Sequence, residues 1–140
     1  MDAFDADALI YAASPENILG RRVRTLFPEG PIETGGDRVG VGSLLLLPEM
    51  LSKPHREGST EELVALVGLL ARLDLRPLDD ATARLAVAIG AQHRLRAADA
   101  VHLATAIGAG ANRFITNNRR DFPLAIEQID ITYPEHLPEP

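Results

Sequence analysis

Apolar and polar positions alternate along the chain in a way that predicts short buried strands separated by helices. Short apolar or alternating runs bounded by polar residues and glycines predict strands over 2–5, 38–41, 73–76, 113–116 and 128–132. Apolar residues at helical spacing predict helices over 9–13, 15–27, 43–51, 60–73, 80–93 and 97–111. This alternation predicts an α/β protein, a three-layer α/β/α sandwich with a short, mainly parallel central sheet.

Polar residues at the predicted helix starts are typical N-caps. Ser14 stands before a proline, which is well tolerated at the first position of a helix. Ser59 and Glu62 have the spacing of a capping box, and Asp79 or Asp80 is expected to cap the helix after them. Asp7, directly before an apolar run, is expected to cap the short first helix.

The length and hydrophobic content suit a single domain. A chain of 140 residues with 46% hydrophobic residues can bury one core, so we expect a domain over 1–134 and a loose, Pro-rich tail over 135–140. Residues 30–42 are rich in glycine and predict a loop that contains the second strand.

The amino-acid composition excludes several kinds of functional site. The chain has no cysteine, which excludes disulfides, thiolate zinc sites and a cysteine nucleophile. The N-terminus lacks a signal-peptide pattern and no apolar run is long enough to cross a membrane, so a soluble cytoplasmic protein without a membrane partner is expected. The net charge of −6 argues against a protein that binds nucleic acid simply by being basic, but it is compatible with acidic residues gathered in a metal site.

Several acidic and amide side chains fall where parallel strands are expected to end. Asp5 ends the first strand, Asp99 lies in the first turn of the helix before "RFIT", and Asn118 and Asp121 follow that strand. Glu49 stands in an otherwise apolar helix, where an ionised side chain is costly unless it is paired, exposed or bound to a metal. Because ligands bind beyond the carboxyl ends of such strands and crowded carboxylates repel, a divalent cation, Mg²⁺ or Mn²⁺, is the predicted ligand.

Three motifs carry a resemblance to a known family. The stretches "DADALIYA", "GSLLLLPEML" and "RAADAVHLATAIGAGANRFITNNRRDF" occur in the order and spacing of PIN-domain ribonucleases, and most closely resemble VapC-type toxins of toxin–antitoxin pairs. The resemblance implies a PIN-like fold and a Mg²⁺- or Mn²⁺-dependent endoribonuclease that hydrolyses single-stranded or loop RNA. It also implies a small antitoxin protein that covers the site, and a homodimer.

The family's acidic residues map onto this chain by motif. The resemblance places the catalytic and metal-binding acids at Asp5, Glu49 and Asp99, and the family's Ser or Thr after the late strand at Thr116. Where many members carry a fourth acid this chain has Asn118, so either Asp121 reaches the site or a second metal site is weak.

Other residues near these motifs allow two interpretations each. Asp7 is expected to act as a helix cap, to add charge at the metal site, or both. Arg119 and Arg120 either contact RNA phosphates or form a solvated pair. His102, three residues after Asp99 on the same helix face, is either a packed histidine, which we expect, or a metal ligand or general base.

Two alternatives compete with the ribonuclease hypothesis. "DADAL" also resembles the nucleophile motif of haloacid-dehalogenase-like phosphatases, although the late lysine of that family is absent and Lys53 is the only lysine. A PIN-like domain with a degraded site, serving as an RNA-binding or protein-interaction module, is favoured by Asn118 in place of an acid.

Overall fold

Five parallel strands form one central sheet. The computed structural model describes residues 1–29 and 38–140, so most of the glycine-rich loop predicted over 30–42 lies outside the described residues. Within them the strands are β1 Asp2–Phe4, β2 Gly40–Ser43, β3 Leu73–Arg76, β4 Arg113–Ile115 and β5 Asp130–Thr132. Their order across the sheet is β3-β2-β1-β4-β5, and all four pairings are parallel. The predicted parallel sheet is confirmed, with β2 starting two residues later than expected.

Six helices accompany the strands in these two stretches of the chain. They are α1 Ala6–Ala13, α2 Ile18–Arg24, α3 Leu46–Arg56, α4 Thr60–Leu70, α5 Asp80–His93 and α6 Ala97–Gly108. The longest of them, α5, has 14 residues, whereas a helix needs about 20 to cross a bilayer. Across the described residues, no helix has the length and apolar character of a membrane span.

Alternate side chains of each strand lie on opposite faces of the sheet, so the domain has two hydrophobic cores. Ala3 and Phe114 pack with α5 and α6 on one face, while Phe4 and Ile115 pack with α1 to α4 on the other. All four side chains are at most 1% exposed, and burying a large one such as Phe stabilises the fold by about 1.5–3 kcal/mol. The predicted three-layer α/β/α sandwich is confirmed.

The sheet changes its direction of winding between β1 and β4. From β1 the chain adds β2 and β3 on one side, and then crosses to add β4 and β5 on the other. Such a switch leaves a crevice at the carboxyl ends of the two central strands. Phe4 lies abreast of Ile115, and the Asp5 N–H donates to the Ile115 carbonyl at 2.9 Å. Asp5 and Thr116 therefore emerge side by side at this crevice.

The first helix begins earlier than its sequence predicted, and this changes the assignment of its cap. Asp5 is the N-cap of α1: its backbone is extended, and its Oδ1 accepts the Ala6 N–H at 2.9 Å. Asp7 therefore lies inside the first turn, and the prediction that it caps this helix is wrong.

The start of the second helix is also corrected. Ser14 is the C-cap of α1, and α2 begins only at Ile18, with the Asn17 side chain accepting the Gly20 N–H at 2.8 Å. A Cβ at Gly20 would come within 1.9 Å of the Tyr11 carbonyl oxygen, so α2 packs backbone to backbone on α1. This close contact fixes the start of α2 more strongly than the Ser-Pro signal.

The predicted caps of the two later helices have different outcomes. Ser59 occupies the N-cap position of α4, but its side chain makes no capping hydrogen bond, so the predicted capping box is not formed. Asp79 caps α5 as predicted, with its Oδ1 accepting the Thr82 N–H at 2.8 Å.

The C-terminal segment is packed against the domain. Leu137 is 2% exposed, and Pro134 to His136 form one 3-10 turn. The Arg22 guanidinium donates to the carbonyls of Glu135 and Leu137 at 2.7 and 3.0 Å, and it pairs with Glu139. The expectation of a loose tail is wrong here because one apolar side chain and one arginine anchor the segment.

Candidate active site

Asp5 is a buried carboxylate held on both oxygens. Its Oδ1 caps α1, and its Oδ2 accepts the Thr116 hydroxyl at 2.8 Å. Thr116 is itself fully buried, and its Oγ1 accepts the Asn118 N–H at 3.1 Å. Burial raises the pKa of Asp5 above its usual value, although the Thr116 hydrogen bond and the nearby His102 oppose this. Asp5 thus has a fixed orientation, and burial makes its ionised form costly.

Asp121 reaches the site, and Asn118 positions it. The Asn118 amide donates to Asp121 Oδ2 at 2.9 Å, and the Asn118 carbonyl oxygen accepts the Asp121 N–H at 3.2 Å. The Asp121 carboxyl lies close enough to that of Asp99 for the two to change each other's pKa. Burial and then Asp121 raise the pKa of Asp99, whereas the Asn118 amide keeps the pKa of Asp121 low. Asp99 is therefore the acid of this pair whose ionised form is the more costly.

Glu49 contacts a buried histidine. His102 Nε2 lies 2.9 Å from Glu49 Oε1, and the two side chains are 1% and 35% exposed. Burial lowers the pKa of His102, but Glu49, Asp5 and Asp99 together outweigh this and raise it above its usual value. His102 is a packed histidine as predicted, and it lies among three of the predicted acidic residues.

Asp7 connects α1 to the loop after β4. Its carboxylate accepts the Asn117 N–H at 3.1 and 3.3 Å on its two oxygens. Burial, followed by the charge of Asp5, raises the pKa of Asp7 to about 6 despite this bond. Asp7 adds negative charge beside Asp5 and holds the backbone next to Thr116. Of the two roles expected for it, the helix cap is wrong, and the added charge at a metal site stays a prediction.

Replacing Asp7 by asparagine is expected to stabilise the metal-free protein at neutral pH. A folded-state pKa above the usual 3.8 means that the folded state binds the proton more tightly, so stability falls as the pH rises through about 4 to 6. The asparagine side chain carries no charge and can still accept the Asn117 N–H. After allowance for solvent screening, the gain is about 1 kcal/mol.

Thermal unfolding in EDTA measures this effect, with Asp80→Asn, an exposed acid of α5, as the control. The advantage of Asp7→Asn should shrink as the pH falls below about 6, where the wild type takes up its own proton. If Asp7→Asn unfolds at or below the wild-type temperature at neutral pH, Asp7 is not an uncompensated charge.

The two predicted phosphate-binding arginines differ in their surroundings. The Arg119 guanidinium lies 4.5 Å from the centroid of the Tyr133 ring and forms an ion pair with Glu135. The Arg120 side chain is 81% exposed, with its Nε 3.7 Å from Asp121 Oδ1. Arg120 is therefore the arginine with the freer guanidinium at the rim of the site, and phosphate contact by either residue stays a prediction.

The donor chemistry fits a hard divalent cation. Carboxylate oxygens are the ligands that Mg²⁺ and Mn²⁺ prefer, and burial, followed for Asp99 by the neighbouring Asp121, raises the pKa values of Asp5 and Asp99, so their ionised forms would gain from a nearby cation. Within residues 1–29 and 38–140, no three Asp, Glu or His side chains already enclose a position for a metal ion. Binding would therefore require side-chain adjustment, and the metal role of each residue stays a prediction.

Two residues in this site were only weakly signalled by the sequence. His102 was recognisable as a neighbour of Asp99 from its spacing of three along a helix, but its contact with Glu49 joins positions 53 residues apart. Asn117 contributes a backbone N–H, which any residue could supply, and its Oδ1 is buried with no hydrogen-bond partner among the described residues. Besides that spacing, the one further signal for His102 is that it is a polar residue within an apolar helix.

Comparisons with known proteins identify a family and a shared fold. The family model described as PIN domain matches residues 4–125. A toxin–antitoxin complex from Klebsiella pneumoniae has a similar chain, with a TM-score of 0.70, 22% identity, and coverage of 96% of this chain and 98% of that chain. VapBC2 from Rickettsia felis, bound to a DNA fragment from its promoter, matches with a TM-score of 0.67, 13% identity, and coverage of 94% and 97%. FitAB bound to the IR36 DNA fragment matches with a TM-score of 0.62, 19% identity, and coverage of 99% of both chains. No curated protein matches the sequence.

Proposed function

The chain belongs to the PIN domain family, and from that premise we propose that it is a Mg²⁺- or Mn²⁺-dependent endoribonuclease. Its substrate would be single-stranded or loop RNA. The observation that carries this proposal is the gathering of Asp5, Asp99 and Asp121 at the crevice between β1 and β4, with two of the three holding raised pKa values. Gathered carboxylates are costly without a cation, and a divalent cation bound there could in turn bind a phosphodiester.

Asp5, Asp99 and Asp121 would hold the cation, with Glu49 as a further acid beside Asp99. When bound, the divalent ion would supply an activated water and offset the negative charge of the phosphoryl oxygens. Thr116 fixes the orientation of Asp5, and Asn118 fixes that of Asp121. These hydrogen bonds would limit the movement of Asp5 and Asp121 to the adjustment that binding of the cation requires, and small reorganisation favours catalysis.

The phosphodiester would approach over the exposed rim of the site. Arg120 is free enough to contact a phosphate there, because its ion pair with Asp121 is long and its side chain is exposed. Arg119 would need to leave Glu135 before it could do the same. The overall net charge of −6 means that RNA affinity would come from such local contacts rather than from a basic surface.

The role of Asn118 weakens the argument for a degraded site. Asn118 supplies no charge, but its amide and carbonyl groups hold Asp121, which does. The family match likewise leaves no support for the phosphatase alternative, in which Asp5 would be the exposed nucleophile, since Asp5 is 6% exposed and hydrogen-bonded on both oxygens.

A small antitoxin protein is the proposed partner. The similar structures are described as toxin–antitoxin, VapBC2 and FitAB assemblies, each similar over more than nine-tenths of this chain. We propose that this chain acts as the toxin of such a pair in the cytoplasm, as a homodimer, with the antitoxin covering the acidic site.

RNA cleavage by the purified chain, free of any partner, tests this function. Total RNA incubated with the protein and Mn²⁺ should be cut at discrete sites, and EDTA should stop the reaction. Sequencing the new 5′ ends would map the sites and show whether they fall in unpaired regions. If no RNA is cut with either Mn²⁺ or Mg²⁺, the proposed activity is wrong.

A further inference from the structure

His102 has an environment that packing alone does not explain. It lies on α6 among buried residues that are mostly Ala, Val and Leu, and it is itself 2% exposed. Its Nδ1 is buried and has no hydrogen-bond partner in the described part of the chain. Leaving a buried polar atom unpaired costs about 1–3 kcal/mol, so packing alone gives no reason for a histidine at this position.

The other ring nitrogen makes one specific contact. A carboxylate can only accept a hydrogen bond, so the hydrogen between His102 Nε2 and Glu49 Oε1 belongs to Nε2. The Glu49 side chain is 35% exposed, so without this bond it would be free to turn into solvent. The bond joins α3 to α6, the helix that also carries Asp99.

We infer that His102 is a positioning residue, whose Nε2–H holds the Glu49 carboxylate beside Asp99 so that Glu49 is oriented before a cation binds. This inference rests on the proposed function, because it gives Glu49 a role at the same metal site. It adds that the imidazole acts through Glu49 and touches neither the cation nor the RNA. Groups that orient the donors of a metal site in this way typically change metal affinity by about 10- to 100-fold when removed.

Calorimetric titration of the metal-free chain with Mn²⁺, without RNA, tests the inference. His102→Leu removes the donor and should raise the Kd for Mn²⁺ about tenfold. His102→Gln places an amide N–H near the position of Nε2 and should restore most of the affinity. Thr105→Val is the matched control, since Thr105 is buried on the same helix and donates to the Val101 carbonyl, and its Kd should equal that of the wild type.

A double-mutant cycle separates positioning from a general structural effect. If His102 acts through Glu49, His102→Leu should have no further effect on Mn²⁺ affinity in a Glu49→Gln chain. The inference is overturned if His102→Leu binds Mn²⁺ as the wild type does, if His102→Gln fails to recover affinity while folding normally, or if the His102→Leu penalty persists in the Glu49→Gln chain. A wild-type chain that binds no Mn²⁺ overturns the proposed metal site together with this inference.

Discussion

Asp5→Asn is expected to reduce Mn²⁺-dependent RNA cleavage by at least about a hundredfold, the cost of removing one preorganised charge from a catalytic site. Asparagine keeps the fold, because its carbonyl oxygen can accept the Ala6 N–H and its amide can donate to Thr116 Oγ1 in place of the hydroxyl bond seen in the wild type. The substitution removes charge alone. Initial rates of cleavage of one mapped RNA site, with the wild type and the variant at equal concentration, measure the effect.

Asp74→Asn is the control for a simple loss of negative charge. Asp74 lies on the edge strand β3, where it is exposed and pairs with Arg76, so its replacement should leave the cleavage rate unchanged. If Asp5→Asn and Asp74→Asn both cleave RNA as fast as the wild type, the carboxylate of Asp5 has no part in the reaction. A matching loss in both variants would point to a non-specific effect of charge.

Mn²⁺ is expected to raise the unfolding temperature of the wild type strongly. A ligand that binds only the folded state at one hundred times its Kd stabilises that state by about 2.7 kcal/mol. For a domain of this size the increase in Tm is about 10 °C. The stabilisation would come from the charge of the bound ion. In the metal-free protein, burial and then neighbouring acids raise the pKa values of Asp5 and Asp99, and a cation would offset both effects.

The same measurement on Asp5→Asn and Asp99→Asn locates the effect. Both variants should lose most of the Mn²⁺-induced increase, and in EDTA they should be at least as stable as the wild type because each removes an acid whose pKa is raised in the folded protein. Asp74→Asn should keep the full increase. If Mn²⁺ stabilises Asp5→Asn as much as the wild type, the ion binds elsewhere on the chain.

The parallel sheet and the placement of Asp5 and Asp99 could be anticipated from the sequence because they follow from local rules. A carboxylate directly after a short apolar strand must emerge at the sheet edge, and an acid in the first turn of the helix before β4 is expected near the same edge when the sheet is parallel. The central strands themselves are recognisable because they are buried on both faces and therefore rich in apolar residues.

What the sequence could not show depends on contacts between distant residues. That Asp121 reaches Asp99 depends on the Asn118 side chain, which the sequence presented only as a missing acid. The function of Asp7 depends on the Asn117 N–H, which belongs to a loop 110 residues away. The start of α2 and the packed C-terminal segment likewise depend on tertiary contacts that override local signals.

Anomalous diffraction from a crystal grown with Mn²⁺ would locate the metal site. We expect a manganese peak within coordination distance of the carboxylates of Asp5 and Asp99, at the crevice between β1 and β4. A peak bound only at other residues, or an empty crevice in a crystal soaked well above the calorimetric Kd, would contradict the assignment of this site as a metal-dependent nuclease centre.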